Sequence, residues 1–121
     1  MSYDISYRVQ CKENPNLWVP IGENSANTTW NLREMICKST GLEWKNEEDN
    51  GLVKEVIPNI IHGLEELTRF PEKYKQYESP NGWGTVNGCK SFFAQCIVDW
   101  NNFSEDYYTR DFVDIVHFWI I

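Results

Sequence analysis

The segment Phe112-Val113-Asp114-Ile115-Val116-His117-Phe118-Trp119-Ile120-Ile121 restricts this chain more than any other. It is β-branched and aromatic, and apolar side chains fall on both of its alternating faces, the pattern of an inner strand. A segment this apolar has to dock inside a sheet. A partner stands at the other end of the chain, where Tyr3, Ile5, Tyr7 and Val9 alternate with Asp4, Ser6, Arg8 and Gln10. That period of two predicts a strand with one wet face. Glu13-Asn14-Pro15-Asn16 supplies a turn, and Leu17-Trp18-Val19-Pro20-Ile21 a second strand, so the two form a hairpin. Pro20 cannot donate to a ladder, which places it at an edge or a strand end.

Between these ends the spacing turns helical. Asn31-Leu32-Arg33-Glu34 has the form of a helix start with Asn31 as N-cap, and Gly41 can close that helix. Leu42 to Gly51 reads as an acidic loop around Trp44. Val53, Val56, Ile57, Ile60, Ile61, Leu64 and Leu67 form a helical stripe broken by Pro58. Ile57 precedes a proline, so the main helix is expected to start with Pro58 at its first position. Pro71 to Lys75 makes another short helical turn. Cys89, Phe92, Phe93, Cys96, Ile97, Trp100 and Phe103 mark the strongest helix. The expected architecture is α+β: a small antiparallel sheet of the N-terminal hairpin plus the C-terminal strand, with about three helices on one face. Residues 1–121 form one domain by size, and 41% hydrophobic residues suffice for a core.

The net charge of −7 comes from both halves of the chain, and no basic stripe exists. Direct binding to a nucleic-acid backbone is therefore disfavoured, whereas an acidic surface suits solubility or a basic protein partner. No segment has the apolar length to span a bilayer, and the N-terminal residues lack the features of a secretory leader. Cys11, Cys37, Cys89 and Cys96 form no C-x-x-C pair and have no His at ligand spacing, so neither a metal nor a cofactor is expected. Free thiols suit a reducing cytosol. His62 and His117 sit in no nucleophile motif, and Glu65-Glu66 point to different faces of a helix. The chain is accordingly read as a binding protein without catalytic residues.

The candidate site is the glycine-punctuated run from Ser79 to Gly88, which leads into the strongest helix. Trp83 stands between Gly82 and Gly84, where a large ring either plugs a core or faces a ligand. Backbone N–H groups near Asn87, Gly88 and Cys89, with Lys90 beside them, could receive a phosphate or carboxylate at the helix start. Trp44 also lies in a polar stretch, as a second ring for a flat ligand or a protein contact. The expected pocket joins Trp30 and Asn31, Trp44 and Lys45, and the loop of Asn81, Gly82, Trp83, Gly84 and Thr85. Rings, amides and one cation suit a nucleotide-like ligand.

Tyr3-Asp4-Ile5, Thr28-Thr29-Trp30-Asn31-Leu32, Ile57-Pro58-Asn59-Ile60 ahead of Gly63-Leu64-Glu65-Glu66-Leu67, and Gly82-Trp83-Gly84-Thr85 occur in that order. This resembles a family of small bacteriophage and prophage accessory proteins with a Y-D-I start, an N-[IT]-T-[WY]-N segment and a proline-initiated helix. The resemblance implies an accessory protein acting in the host cytosol by blocking a defence component. It carries no catalytic residue to transfer. Two modes of action are expected from it and from the residues together. One is sequestration of a small nucleotide-like immune signal in a homo-oligomer. The alternative is an acidic inhibitor that binds a host defence protein, with nucleic-acid mimicry as one way to do so.

Overall fold

A computed structural model describes residues 2–22 and 26–121. It is an α+β fold with one antiparallel sheet, in the order β2-β1-β5-β4. The strands are β1 (Ser2–Gln10), β2 (Trp18–Pro20), β3 (Asn27–Thr29), β4 (Glu48–Leu52) and β5 (His117–Ile120). The helices are α1 (Arg33–Thr40), α2 (Val53–Arg69), α3 (Pro71–Tyr74) and α4 (Val86–Glu105). The hairpin occurs as expected, the C-terminal strand covers only His117–Ile120 because Val113–Ile115 forms a 3-10 turn, and β3 and β4 extend the sheet.

β1 organises the sheet. Asp4 exchanges backbone hydrogen bonds with Ile121, whereas Ile5 N donates to Ala26 O and Tyr7 O accepts from Ile21 N. Successive residues of a strand bond to opposite sides. β5 therefore lies on one side of β1, and β2 and β3 share the other, one at each end. β5 is an inner strand as its composition requires, lying between β1 and β4. Phe118 and Ile120 point into the core, and His117 and Trp119 lie on the opposite, half-buried face. Trp18 covers that face edge-on to Trp119 at 5.2 Å, and the Arg8 guanidinium sits 4.8 Å from the centre of the Trp119 ring.

Two expectations about local structure are corrected. The stretch read as an acidic loop from Leu42 to Gly51 holds most of β4, which runs on to Leu52. Glu48-Asp49-Asn50-Gly51 has neither alternation nor strand propensity, so its pairing with β5 rests on long-range register. The register shifts between Asp49 and Leu52, around Gly51 at φ 108°. α2 starts at Val53 and not at Pro58, because Val53 N donates to Val116 O at the end of β4 and seats the first turn early. Pro58 then lies inside the helix on its exposed side, where it lacks only the N–H that would reach Lys54 O.

The core lies between sheet and helices. Gly63 of α2 marks the closest approach: a Cβ there would sit 2.7 Å from Thr40 Cγ2 and 2.8 Å from Phe93 Cε2. A polar cluster bridges the two layers as well. Tyr7 Oη donates to Asp99 Oδ2 at 2.6 Å, and Gln95 Nε2 donates to Asp99 Oδ1 at 3.0 Å, joining β1 to α4. Burial, then the neighbouring Cys96 and Asp99, hold the Tyr7 phenol far above its ordinary range. None of the helices among the described residues is long and apolar enough to cross a membrane.

Candidate functional site

The loop ahead of α4 is built from its own side chains. Asn81 Oδ1 accepts from Trp83 N at 2.9 Å and from Ser79 Oγ at 2.7 Å, and Gly82 N donates to Ser79 O at 3.1 Å. These bonds close a tight turn that needs left-handed backbone at Gly82 (φ 80°) and Gly84 (φ 90°). Trp83 is presented outward and is 67% exposed. Gly84 lies against the Trp30–Asn31 turn, where a Cβ would come 3.1 Å from Asn31 Cβ. The structure thus brings two of the three expected segments together.

Trp30 is 39% exposed, and its ring is stacked on Tyr3 at 5.7 Å. Its Nε1 donates to Ser2 O at 2.9 Å, which fixes the indole at the end of β1. Asn31 is exposed and was expected as the cap of α1. A short 3-10 turn over Trp30–Leu32 precedes the helix instead, and Thr29 Oγ1 accepts from Asn31 N at 3.4 Å. The expected closing residue is in place: Gly41 is left-handed at φ 75°, and its N–H reaches Cys37 O.

The third segment does not join them. Trp44, expected on the surface, is 1% exposed and belongs to the core. Its ring meets Tyr3 edge-on at 5.9 Å, Phe92 at 5.8 Å and Phe118 at 5.7 Å. Sheet and helix meet over this indole, and its apolar area draws it inward although the residues around it are polar. Lys45 follows it in a turn pinned by Asn50, whose Oδ1 accepts from Lys45 N and whose Nδ2 donates to Lys45 O. The Lys45 ammonium lies 3.9 Å from Glu43.

The expected anion site at the start of α4 also changes. The helix begins at Val86, three residues before Cys89, with Thr85 as N-cap accepting from Gly88 N at 3.0 Å. Glu78 Oε2 accepts from Val86 N at 2.8 Å, and Cys89 N donates to Thr85 O. A carboxylate of the chain itself thus takes the first N–H of the helix, and Thr85 takes Gly88 N and Cys89 N from the group expected to receive a phosphate. Asn87 is exposed and Lys90 half-buried on this turn. Glu78 was not foreseen because it comes from eight residues upstream, across the loop.

The thiols of α4 offer no nucleophile, since burial pushes Cys89 up to about 12 and Cys96 further still. A cleft of about 700 Å³ opens at the other end of β1, lined by none of the residues expected to bind ligand. Its walls come from Val9–Lys12, Leu52, Lys54, Ile115 and His117 among others. Only the β1–β5 and β4–β5 registers bring these segments together, so no local pattern could have announced it. Comparison of the chain with family models, curated proteins and solved structures finds no match.

Proposed function

We propose that this protein is a non-catalytic inhibitor that docks on another protein through the corner formed by Trp83, Trp30 and Asn31. One observation carries this reading. Trp83 is 67% exposed yet carried by a turn whose backbone is set by hydrogen bonds and left-handed glycines. A large ring kept in water by a built turn does no packing work, and exposed aromatic rings on an ordered backbone suit the anchoring of protein interfaces. Glu78 takes Val86 N and Thr85 takes Gly88 N and Cys89 N at the start of α4, so the corner suits a protein surface better than a nucleotide phosphate. The net charge of −7 favours a basic partner and speeds encounter with it. The resemblance to phage accessory proteins points to a nucleic-acid-handling defence component in the host cytosol.

The test is a defence assay in bacteria expressing Trp83→Ala or the double variant Trp83→Ala/Trp30→Ala. Loss of inhibition at an unchanged level of folded protein is the expected result. Wild-type inhibition by the double variant would remove this corner from the mechanism.

A further inference from the structure

The cleft at the far end of β1 is independent of the Trp83 corner, and we infer that it is a binding site for a phosphate-bearing small molecule of nucleotide size. Its volume of about 700 Å³ lies within the range of small-molecule sites, about 300–1,000 Å³. Its chemistry is unlike the rest of this acidic chain. Lys12 and Lys54 are both on its lining, with Asp114 as the single carboxylate among the described residues there. Val9, Pro15, Leu52 and Ile115 supply apolar wall, and Ile115 is half exposed because it faces this open space. Cations set around an apolar recess match a ligand with a phosphate at one end and a flat or apolar body at the other.

The walls are built. Cys11 N donates to Leu17 O at 2.8 Å, Leu17 N to Asn14 O at 2.9 Å, and Gln10 Nε2 to Pro15 O at 2.9 Å. These bonds hold the β1–β2 turn that carries Lys12. On the opposite wall Lys54 belongs to the first turn of α2, which no side chain caps. The positive end of that helix adds to the field of the two ammonium groups.

His117 is fixed in the same lining. Its Nδ1 lies 2.9 Å from Asp49 Oδ2, and Trp18 packs edge-on against its ring at 4.8 Å. An ionised carboxylate only accepts, so Nδ1–H donates to Asp49 and Nε2 is the nitrogen left for a ligand. Through Nε2 a neutral ring accepts from a base edge or a hydroxyl, and a protonated one donates to a phosphate.

The experiment is amide NMR on the full chain, titrated in parallel with ADP, adenosine and inorganic phosphate. ADP is expected to shift the signals of Val9–Lys12, Leu52–Lys54 and Ile115–His117, with adenosine and phosphate each weaker. The double variant Lys12→Glu/Lys54→Glu should lose at least about tenfold in ADP affinity. Both lysines are exposed, and a glutamate at position 54 suits a helix start, so the variant should keep its fold and its near-ultraviolet circular dichroism. Trp83→Ala should bind ADP as the unaltered chain does, which separates this site from the proposed docking corner. ADP leaving these signals unmoved, shifting the Trp83 corner instead, or binding the double variant equally well would overturn the assignment. So would adenosine or phosphate binding as tightly as ADP.

Discussion

Trp44 and Trp83 stand in stretches of the same local character, each polar and flanked by glycine, yet one indole is sealed in the core and the other stands in water. Their turns are held by the same device. Asn50 ties down the backbone of Lys45 and Glu48 beyond Trp44, and Asn81 ties down that of Trp83. The difference lies underneath. Trp44 sits where Tyr3 and Phe118 of the sheet face Phe92 of α4, so three rings from two layers close around it. Trp83 projects from a loop at the start of α4. Tertiary placement, and not the neighbouring residues, decides which indole is structural and which is available to a partner.

The largest effect should come from Trp44→Ala. Removing a buried indole leaves a cavity that its three ring neighbours cannot fill, and such truncations cost about 3–5 kcal/mol. Urea unfolding should show the unfolding free energy falling by that amount, through a lower midpoint with little change in slope. A loss under about 1 kcal/mol would mean that Trp44 is not the joint between the layers. Gly63→Ala approaches the same cluster from behind. Its added methyl would press Phe93, which packs against Phe92 at 5.9 Å, and overpacking of this kind costs about 1–3 kcal/mol. Because Phe92 borders Trp44, the near-ultraviolet circular dichroism should change together with the melting temperature.

These two variants also show why part of the fold was legible and part was not. The β1 alternation, the doubly apolar β5 and the α4 stripe each bury a face through a period visible in one segment, and each took its expected place. β4 carries no such period: β5 pairs with Glu48, Asp49 and Leu52, across an irregular step at Asn50 and Gly51. Trp44 belongs with β4: its burial follows from which layers meet, which no window of sequence contains. At the candidate site the glycine turn was readable from residue type. The Glu78 carboxylate on Val86 N and the cleft around Lys12 and Lys54 were not, since both depend on chain segments meeting.

A smaller effect belongs to the helix start beneath Trp83. Thr85→Ala removes the acceptor for Gly88 N and should cost about 1 kcal/mol, as lost N-caps do. Glu78→Gln keeps an oxygen for Val86 N but removes the charge facing the positive end of α4, and should cost about 0.3–1 kcal/mol. The Glu78→Gln loss should shrink in high salt and the Thr85→Ala loss should not, because only the former is a charge effect. Thermal melts at two ionic strengths separate them. Equal salt dependence would contradict the carboxylate cap.

The smallest expected change in stability is also the one that bears most on function. Trp83→Ala removes a ring that is two-thirds in water, and its turn is held by the Asn81 side chain and the backbone of residue 83, both of which the variant retains. Stability should therefore stay within about 0.5 kcal/mol of the parent, while fluorescence loses one exposed, quencher-accessible indole. A loss of about 2 kcal/mol or more would mean that the ring packs in solution after all, and the contrast with Trp44 would collapse. An unchanged melting temperature combined with lost inhibition would separate the two indoles by role as well as by burial: Trp44 holding the layers together, Trp83 engaging a partner.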